Sequence, residues 1–148
     1  MTNKIIGIQG DKLDKINISS DTSIFLAHEA QKLGYKIFYY TPSNLSIIKN
    51  KTYANGVFVK LNYERKKFYK IYKKQKIDVE NLKFILIRQD PPFNSEYLIT
   101  TLILDDLKKT RVINNPVAIR NVSEKLYSKK FIKYMPDTIF SNNIEEVK

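Results

Sequence analysis

Arg88, Asp90, Pro91 and Pro92 fall within the run RQDPPF, straight after the apolar segment Phe84, Ile85, Leu86, Ile87 and straight before an amphipathic stretch. Two consecutive prolines exclude both helix and ladder pairing at that point, so an arginine and an aspartate are held on a stiff loop. If the preceding segment is a buried parallel strand, the loop sits at its carboxyl end, where open α/β sheets place their ligand sites. Arg88 and Asp90 can then line the substrate side of a cleft. They also admit a structural reading, with Asp90 bonding the loop backbone and Arg88 pairing with it, and that reading is the preferred one. The Asp90–Pro91 and Pro91–Pro92 bonds are both candidates for cis, with trans the default.

Asp21, Thr22 and Ser23 form a second candidate group, because they open a helix pattern and a helix amino terminus can receive a carboxylate or phosphate. An N-cap role is sufficient to account for Asp21. Arg120 is placed either to bind an anion or to lie in solvent. The single histidine, His28, reads as a surface or internally satisfied residue, with no partner indicated for a relay or a metal.

The elements that would position these groups alternate. Lys4–Gln9 reads as a strand, the polar stretch after Gly10 as a loop, and Asp21 as the cap of a helix with Ile24, Ala27, Ala30 and Leu33 at helical spacing and Gly34 at its end. Tyr35–Tyr40 is a second strand, stopped by Thr41 and Pro42. Residues 46–49 and 52–61 flank Asn50 and Lys51 as a hairpin or a meandering edge. After Phe84–Arg88, Asn94 caps a helix with Ile99, Leu102, Ile103 and Leu107 on one side. Arg111–Asn114 is a short strand, and Asn115 is steered away from helix by Pro116. The alternation predicts a parallel sheet covered on both faces, a Rossmann-like α/β arrangement. From Ser123 a new helix is expected with Tyr127, Phe131 and Tyr134 on one face, then a strand over 138–140 and a helix opening at Ser141 or Asn142. That last helix would be about two turns, too short to stand without packing partners.

The 148 residues are enough for one good core plus a remnant. Cysteine is absent, which removes disulfides, thiol nucleophiles and the usual zinc sets. No apolar run approaches the roughly 20 residues of a bilayer span, and a cytosolic setting is compatible. The net charge of +11 is concentrated in residues 60–76, where eight basic residues face Glu64 alone and Tyr63, Phe68, Tyr69 and Tyr72 are interleaved. Such a pattern can follow a phosphate backbone while stacking bases. A solvated, lysine-rich excursion with inward-packed aromatics is preferred, and no nucleic-acid partner is expected.

Three ordered blocks carry a resemblance: SSDTSIFLAHEAQKLGY, RQDPPFNSEYLITTLILDDL, and RVINNPVAIRNVSEKL. In this order and at this spacing they resemble the bacterial-type glutathione synthetases along nearly the whole chain. The resemblance implies a pre-ATP-grasp domain over 1–122 and the start of an ATP-grasp domain over 123–148, so that the chain is an amino-terminal fragment, inactive alone. It implies an ATP-dependent ligase that joins γ-glutamylcysteine and glycine through an acyl phosphate, uses Mg2+, is cytoplasmic, and forms a homo-oligomer at full length. Lys125 aligns with the family's phosphate-contacting lysine of NEKL, although Ser123 stands where the family has asparagine. The remaining ATP and magnesium residues find no match, and no catalytic residue is expected within the chain. Another ATP-grasp carboxylate-amine ligase is the nearest alternative, and a basic nucleic-acid module the more distant one.

Overall fold

The chain runs β1 (Ile5–Gln9), α1 (Thr22–Lys32), β2 (Lys36–Tyr40), β3 (Leu45–Ile48), β4 (Lys51–Leu61), β5 (Tyr69–Asp78), β6 (Phe84–Ile87), α2 (Ser95–Asp105), β7 (Arg111–Ile113) and α3 (Pro116–Asn121). The computed structural model describes residues 4–64, 67–123 and 125–147. Arg65 and Lys66 of the basic segment and Glu124 of the SEKL run lie outside the described residues.

Four strands pair in parallel in the order β2-β1-β6-β7, with Ile6 set between Ile37 and Phe84 and Ile85 opposite Val112. Both faces of β2, β1 and β6 are covered, which is why IFYY, IIGI and FILI are near-continuous apolar runs, while β7 at the edge is largely exposed. The sheet is then extended by antiparallel pairing. One side of β4 takes β3 at its start and β2 at Val57–Val59, and the other side takes β5 along its length. This is the Rossmann-like arrangement expected, widened by a hairpin edge.

The pleat divides the core into two layers. Ile6, Ile8, Ile37, Tyr39 and Val59 face α1 and bury Ile24 and Ala27. Phe38, Tyr40, Phe58, Ile85 and Ile87 face the opposite way, toward Leu104 of α2. Asp21 caps α1 by accepting from the Ile24 amide at 2.8 Å, and Gly34 ends it in the left-handed region at φ 84°. Asn94 caps α2 through the Tyr97 amide, and Asn115 caps α3 through the Ala118 amide with Pro116 at the first helical position.

Residues 45–61 are a hairpin. Ile48 pairs with Lys51, and the connecting Lys49 and Asn50 both have positive φ, 47° and 60°, as a two-residue primed turn requires. Of the basic segment, Lys60 belongs to β4 and residues 69–76 belong to β5, a paired strand at the edge of the sheet with its lysines exposed, while Phe68 just before it is buried. Leu33 departs from expectation: at the C-cap, past the last regular turn, it is 72% exposed.

The face of α2 also differs from the predicted one. Thr100, Thr101 and Leu104 are buried, whereas Ile99 and Leu102 are 55% and 50% exposed. The two threonines can face the core because their hydroxyls donate to the Tyr97 and Leu98 carbonyls at 2.9 and 2.7 Å, leaving mainly methyl surface to pack. Beyond Ser123 the expected helix is a run of 3-10 turns over Leu126–Tyr134, broken at Phe131. Residues 138–140 pair with no strand among the described residues, and the final helix is one 3-10 turn, Ile144–Glu146, capped by Asn143. Phe131, Tyr134, Ile139 and Ile144 are exposed, so no apolar face is buried that could stabilise longer elements there. Among the described residues, no helix is long and apolar enough to cross a membrane.

Candidate functional site

The chain leaves β1 through α1 to reach β2 on one side, and leaves β6 through α2 to reach β7 on the other. Strand order therefore reverses between β1 and β6, and the loops that follow these two strands diverge over opposite faces of the sheet. A crevice must open at their carboxyl ends. It is a cleft of about 580 Å3, bounded by the loop after β1, the first turn of α1 and the start of the loop after β6.

Arg88 spans this crevice. Its backbone amide donates to the Gln9 carbonyl at 2.7 Å, which anchors it at the end of the ladder. Its side chain turns to the amino terminus of α1, where Nε donates to Ser23 Oγ at 2.9 Å and Nη2 to Thr22 Oγ1 at 2.6 Å. Asp21 lines the same cleft while capping the helix, as do Asp11, Lys12 and Lys15 from the loop after β1. All five residues anticipated here, Asp21, Thr22, Ser23, Arg88 and Asp90, border this one cavity.

The preferred pairing of Arg88 with Asp90 is not the one observed. Arg88 engages the two hydroxyls of α1, while the Asp90 amide donates to Asp11 Oδ2 at 2.9 Å, so Asp11 supports the loop from across the cleft. The Pro91–Pro92 bond is cis. Asp11, Lys12, Lys15 and Tyr39 were not anticipated. The available signal was Gly10-Asp11 at the end of the first strand of a βα unit, but locating the switch point also required the position of β6.

Tyr39 closes the floor. Its hydroxyl donates to the Asp11 carbonyl at 2.6 Å. Burial first, then the negative charges of Asp21, Asp11 and Asp90, hold its phenol well above the ordinary value, so it remains a donor. A side chain at Gly10 would overlap this hydroxyl, which accounts for glycine there. On the α2 side of the same strand end, fully buried Gln9 donates to the Gln89 side chain and reaches Thr100 Oγ1 at 3.5 Å.

The cleft thus presents carboxylates from Asp11, Asp21 and Asp90, cations from Lys12, Lys15 and Arg88, and the hydroxyls of helix α1. Mixed charge of this kind matches a small zwitterion, an ammonium against the carboxylates and a carboxylate against the cations. Lys125 is not among the lining residues. It precedes the 3-10 run Leu126–Tyr134, its carbonyl accepting from Ser128 Oγ. Arg120 neither binds an anion in this cleft nor lies in solvent: it pairs with Asp105 at 2.6 Å, with a side chain only 16% exposed, and fastens α3 to the end of α2. His28 Nδ1 accepts from the Tyr63 amide at 3.4 Å. Among the described residues, no three His, Cys, Asp or Glu side chains gather to hold a metal ion, so these residues do not fit a magnesium site.

The fold is a Rossmann-like α/β domain with a cleft of mixed charge at its topological switch point. The family described as "Prokaryotic glutathione synthetase, N-terminal domain" matches residues 5–120, and the chain belongs to that family. It is 36% identical over 143 residues to a glutathione synthetase of Mesorhizobium japonicum, covering 96% of this chain and 46% of that protein. It is 35% identical over 145 residues to that of Buchnera aphidicola (97% and 45%), and 33% identical over 145 residues to that of Agrobacterium fabrum (97% and 46%). The chain spans about half the length of these relatives.

Proposed function

We propose that the chain is the amino-terminal part of a glutathione synthetase, the ligase that joins γ-glutamylcysteine to glycine, inactive by itself, and that the cleft at Arg88 holds the γ-glutamyl dipeptide. The observation that carries this reading is the bridge from Arg88 to Thr22 and Ser23 at the switch point, within a cleft of both charge signs. The dipeptide has one ammonium and two carboxylates. Lys12, Lys15 and the outer edge of the Arg88 guanidinium suit its carboxylates, and Asp11, Asp21 and Asp90 suit its ammonium.

A free carboxylate is a poor electrophile; in the proposed reaction ATP would transfer its terminal phosphoryl group to the carboxylate, leaving ADP, and the glycine amine would then attack the acyl carbon and expel inorganic phosphate. This chain's own residues bind and orient: the stiff loop and the first turn of α1 fix the dipeptide against a rigid sheet end, which lowers the entropic part of the barrier. Lys125 is proposed as a phosphate contact, and residues 123–148 as the beginning of an ATP-grasp domain whose boundary falls after Val122. Magnesium ligands are proposed to come from outside the described residues, in a cytoplasmic, homo-oligomeric enzyme.

Calorimetric titration tests the cleft assignment. γ-Glutamylcysteine should bind the 148-residue chain saturably, and Arg88→Ala should weaken binding at least tenfold while leaving the fold intact by circular dichroism. Absence of binding to the unsubstituted chain, or unchanged affinity in the variant, overturns it. With ATP, Mg2+, dipeptide and glycine supplied, phosphate release by this chain is expected to stay at background.

A further inference from the structure

A second cavity, of about 450 Å3, opens at the opposite end of the sheet, where β1 and β2 begin, against the edge strand β5. It is produced by an irregularity in pairing. Phe58 of β4 pairs with Lys73 and Val59 pairs with Ile71, so Tyr72 is an extra residue in β5 with no opposite number. A β-bulge of this kind re-aims side chains. Here it brings Tyr72 onto the face of Phe58, with ring centroids 6.0 Å apart and planes at 39°. Phe58 shares its layer with Leu104 of α2, but Tyr72 at the β5 margin of that layer remains 54% exposed.

Ile5, Ile77 and Leu82 complete an apolar floor, and Lys36 and Lys73 stand at its margin. In the alternation of β2, Lys36 shares the side of Phe38 and Tyr40, and the register puts Lys73 opposite Phe58, so both cations belong to the aromatic face. Neither forms an ion pair among the described residues. The neighbouring Asp78 is already engaged, accepting from the Glu80 amide at 3.0 Å. Lys76 also borders the cavity, but its ammonium sits 5.3 Å from the Tyr53 ring centroid, on the other face of β4.

We propose that this groove is a second ligand site, for a small molecule that joins a flat aromatic or unsaturated ring to a carboxylate or phosphate. The ring would lie on Tyr72 and Phe58, and the anion would meet Lys36 and Lys73. Stacking on the exposed aromatic holds the ring, and paired lysine contacts give the charge selectivity. The site is separate from the Arg88 cleft, which lies past the other ends of the same strands, and the proposal does not depend on the ligase reading. A second copy of the chain is a poor occupant of this groove, because Lys36 and Lys73 at its margin favour an anion over another lysine-rich surface.

The test uses the whole 148-residue chain, with phenyl phosphate, inorganic phosphate and phenol as probes in separate 15N-correlation titrations. Phenyl phosphate should shift the amides around Tyr72, Lys73 and Lys36 saturably, with an affinity at least tenfold above that of phosphate or phenol alone. Tyr72→Leu and Lys73→Glu should each reduce that affinity at least fivefold, and Lys36→Glu provides an independent exposed substitution on another strand. Arg88→Ala should leave it unchanged. The proposal is overturned by non-saturable shifts, by shifts centred on Arg88, by equal binding of phosphate alone, or by dimerisation in sedimentation velocity that phenyl phosphate competes away.

Discussion

Arg88 and Ser23 are 65 residues apart in sequence, yet Arg88 Nε donates to Ser23 Oγ at 2.9 Å, tying the end of β6 to the first turn of α1 across the crevice. The bond joins two loops that otherwise diverge over opposite faces of the sheet, so it sets the width of the cleft.

Substituting Arg88 by lysine therefore has a directional consequence. A lysine keeps the charge but cannot hold Ser23 and Thr22 with a planar fork. Dipeptide affinity should fall about tenfold to a hundredfold, in line with about 1.5–3 kcal/mol for bonds to a charged group, while the melting temperature changes little. Calorimetry beside thermal denaturation checks both, and equal affinity in Arg88→Lys would show that the fork is not what the ligand sees.

Glu80 is a second long-range tie. Its carboxylate accepts from the amides of Lys108, Lys109 and Thr110 at 2.7, 2.8 and 2.9 Å, fixing the approach to β7. Burial acts to raise its pKa, but the three amide bonds outweigh it and hold the group below its ordinary value. A carboxylate depressed in the folded state contributes stability above its unfolded pKa, and that contribution is lost as pH falls through the folded value. Stability should thus drop on acidification below the ordinary glutamate range of about 4.3. Glu80→Gln should lower stability by about 1–2 kcal/mol at neutral pH and flatten that acid dependence, both measured by urea denaturation.

Tyr40 offers a test with the opposite sign. Its hydroxyl is buried with no hydrogen-bond partner among the described residues, and burial pushes its phenol far above the ordinary value. An unpaired buried hydroxyl carries a desolvation penalty. Tyr40→Phe should leave stability unchanged or raise it by up to about 1 kcal/mol. A loss of more than that in denaturant melts would reveal an internal partner for the hydroxyl.

The lysines of β5 guard an edge. That strand is ten residues long and pairs only with β4 among the described residues, so its outer edge is open to a further strand. Lysines on such an edge discourage self-pairing. Lys70→Val with Lys74→Val should produce concentration-dependent association in sedimentation velocity, and a monodisperse double variant would remove that role. The unsubstituted chain should bind nucleic acid weakly, with affinity falling steeply as salt rises.

Periodicity and punctuation in the sequence determine the local elements of this chain. Alternating apolar runs and helix patterns, closed by Asp21, Gly34, Asn94 and the two prolines, predict the βα order and put Arg88 and Asp90 at a strand's carboxyl end, because such signals act within a few residues. Which side chains meet across the chain depended on the order of strands. Asp11 joins Asp90, and Arg88 joins Ser23, because β6 docks beside β1, a contact between segments nearly eighty residues apart that no local pattern encodes. The same holds for α2, whose buried face follows Thr100 and Thr101 because the threonine hydroxyls are satisfied by their own helix, leaving Ile99 and Leu102 outside. After Ser123 the helical spacing of Tyr127, Phe131 and Tyr134 is genuine, but periodicity stabilises a helix only when a packed surface receives its apolar face, and among the described residues none does.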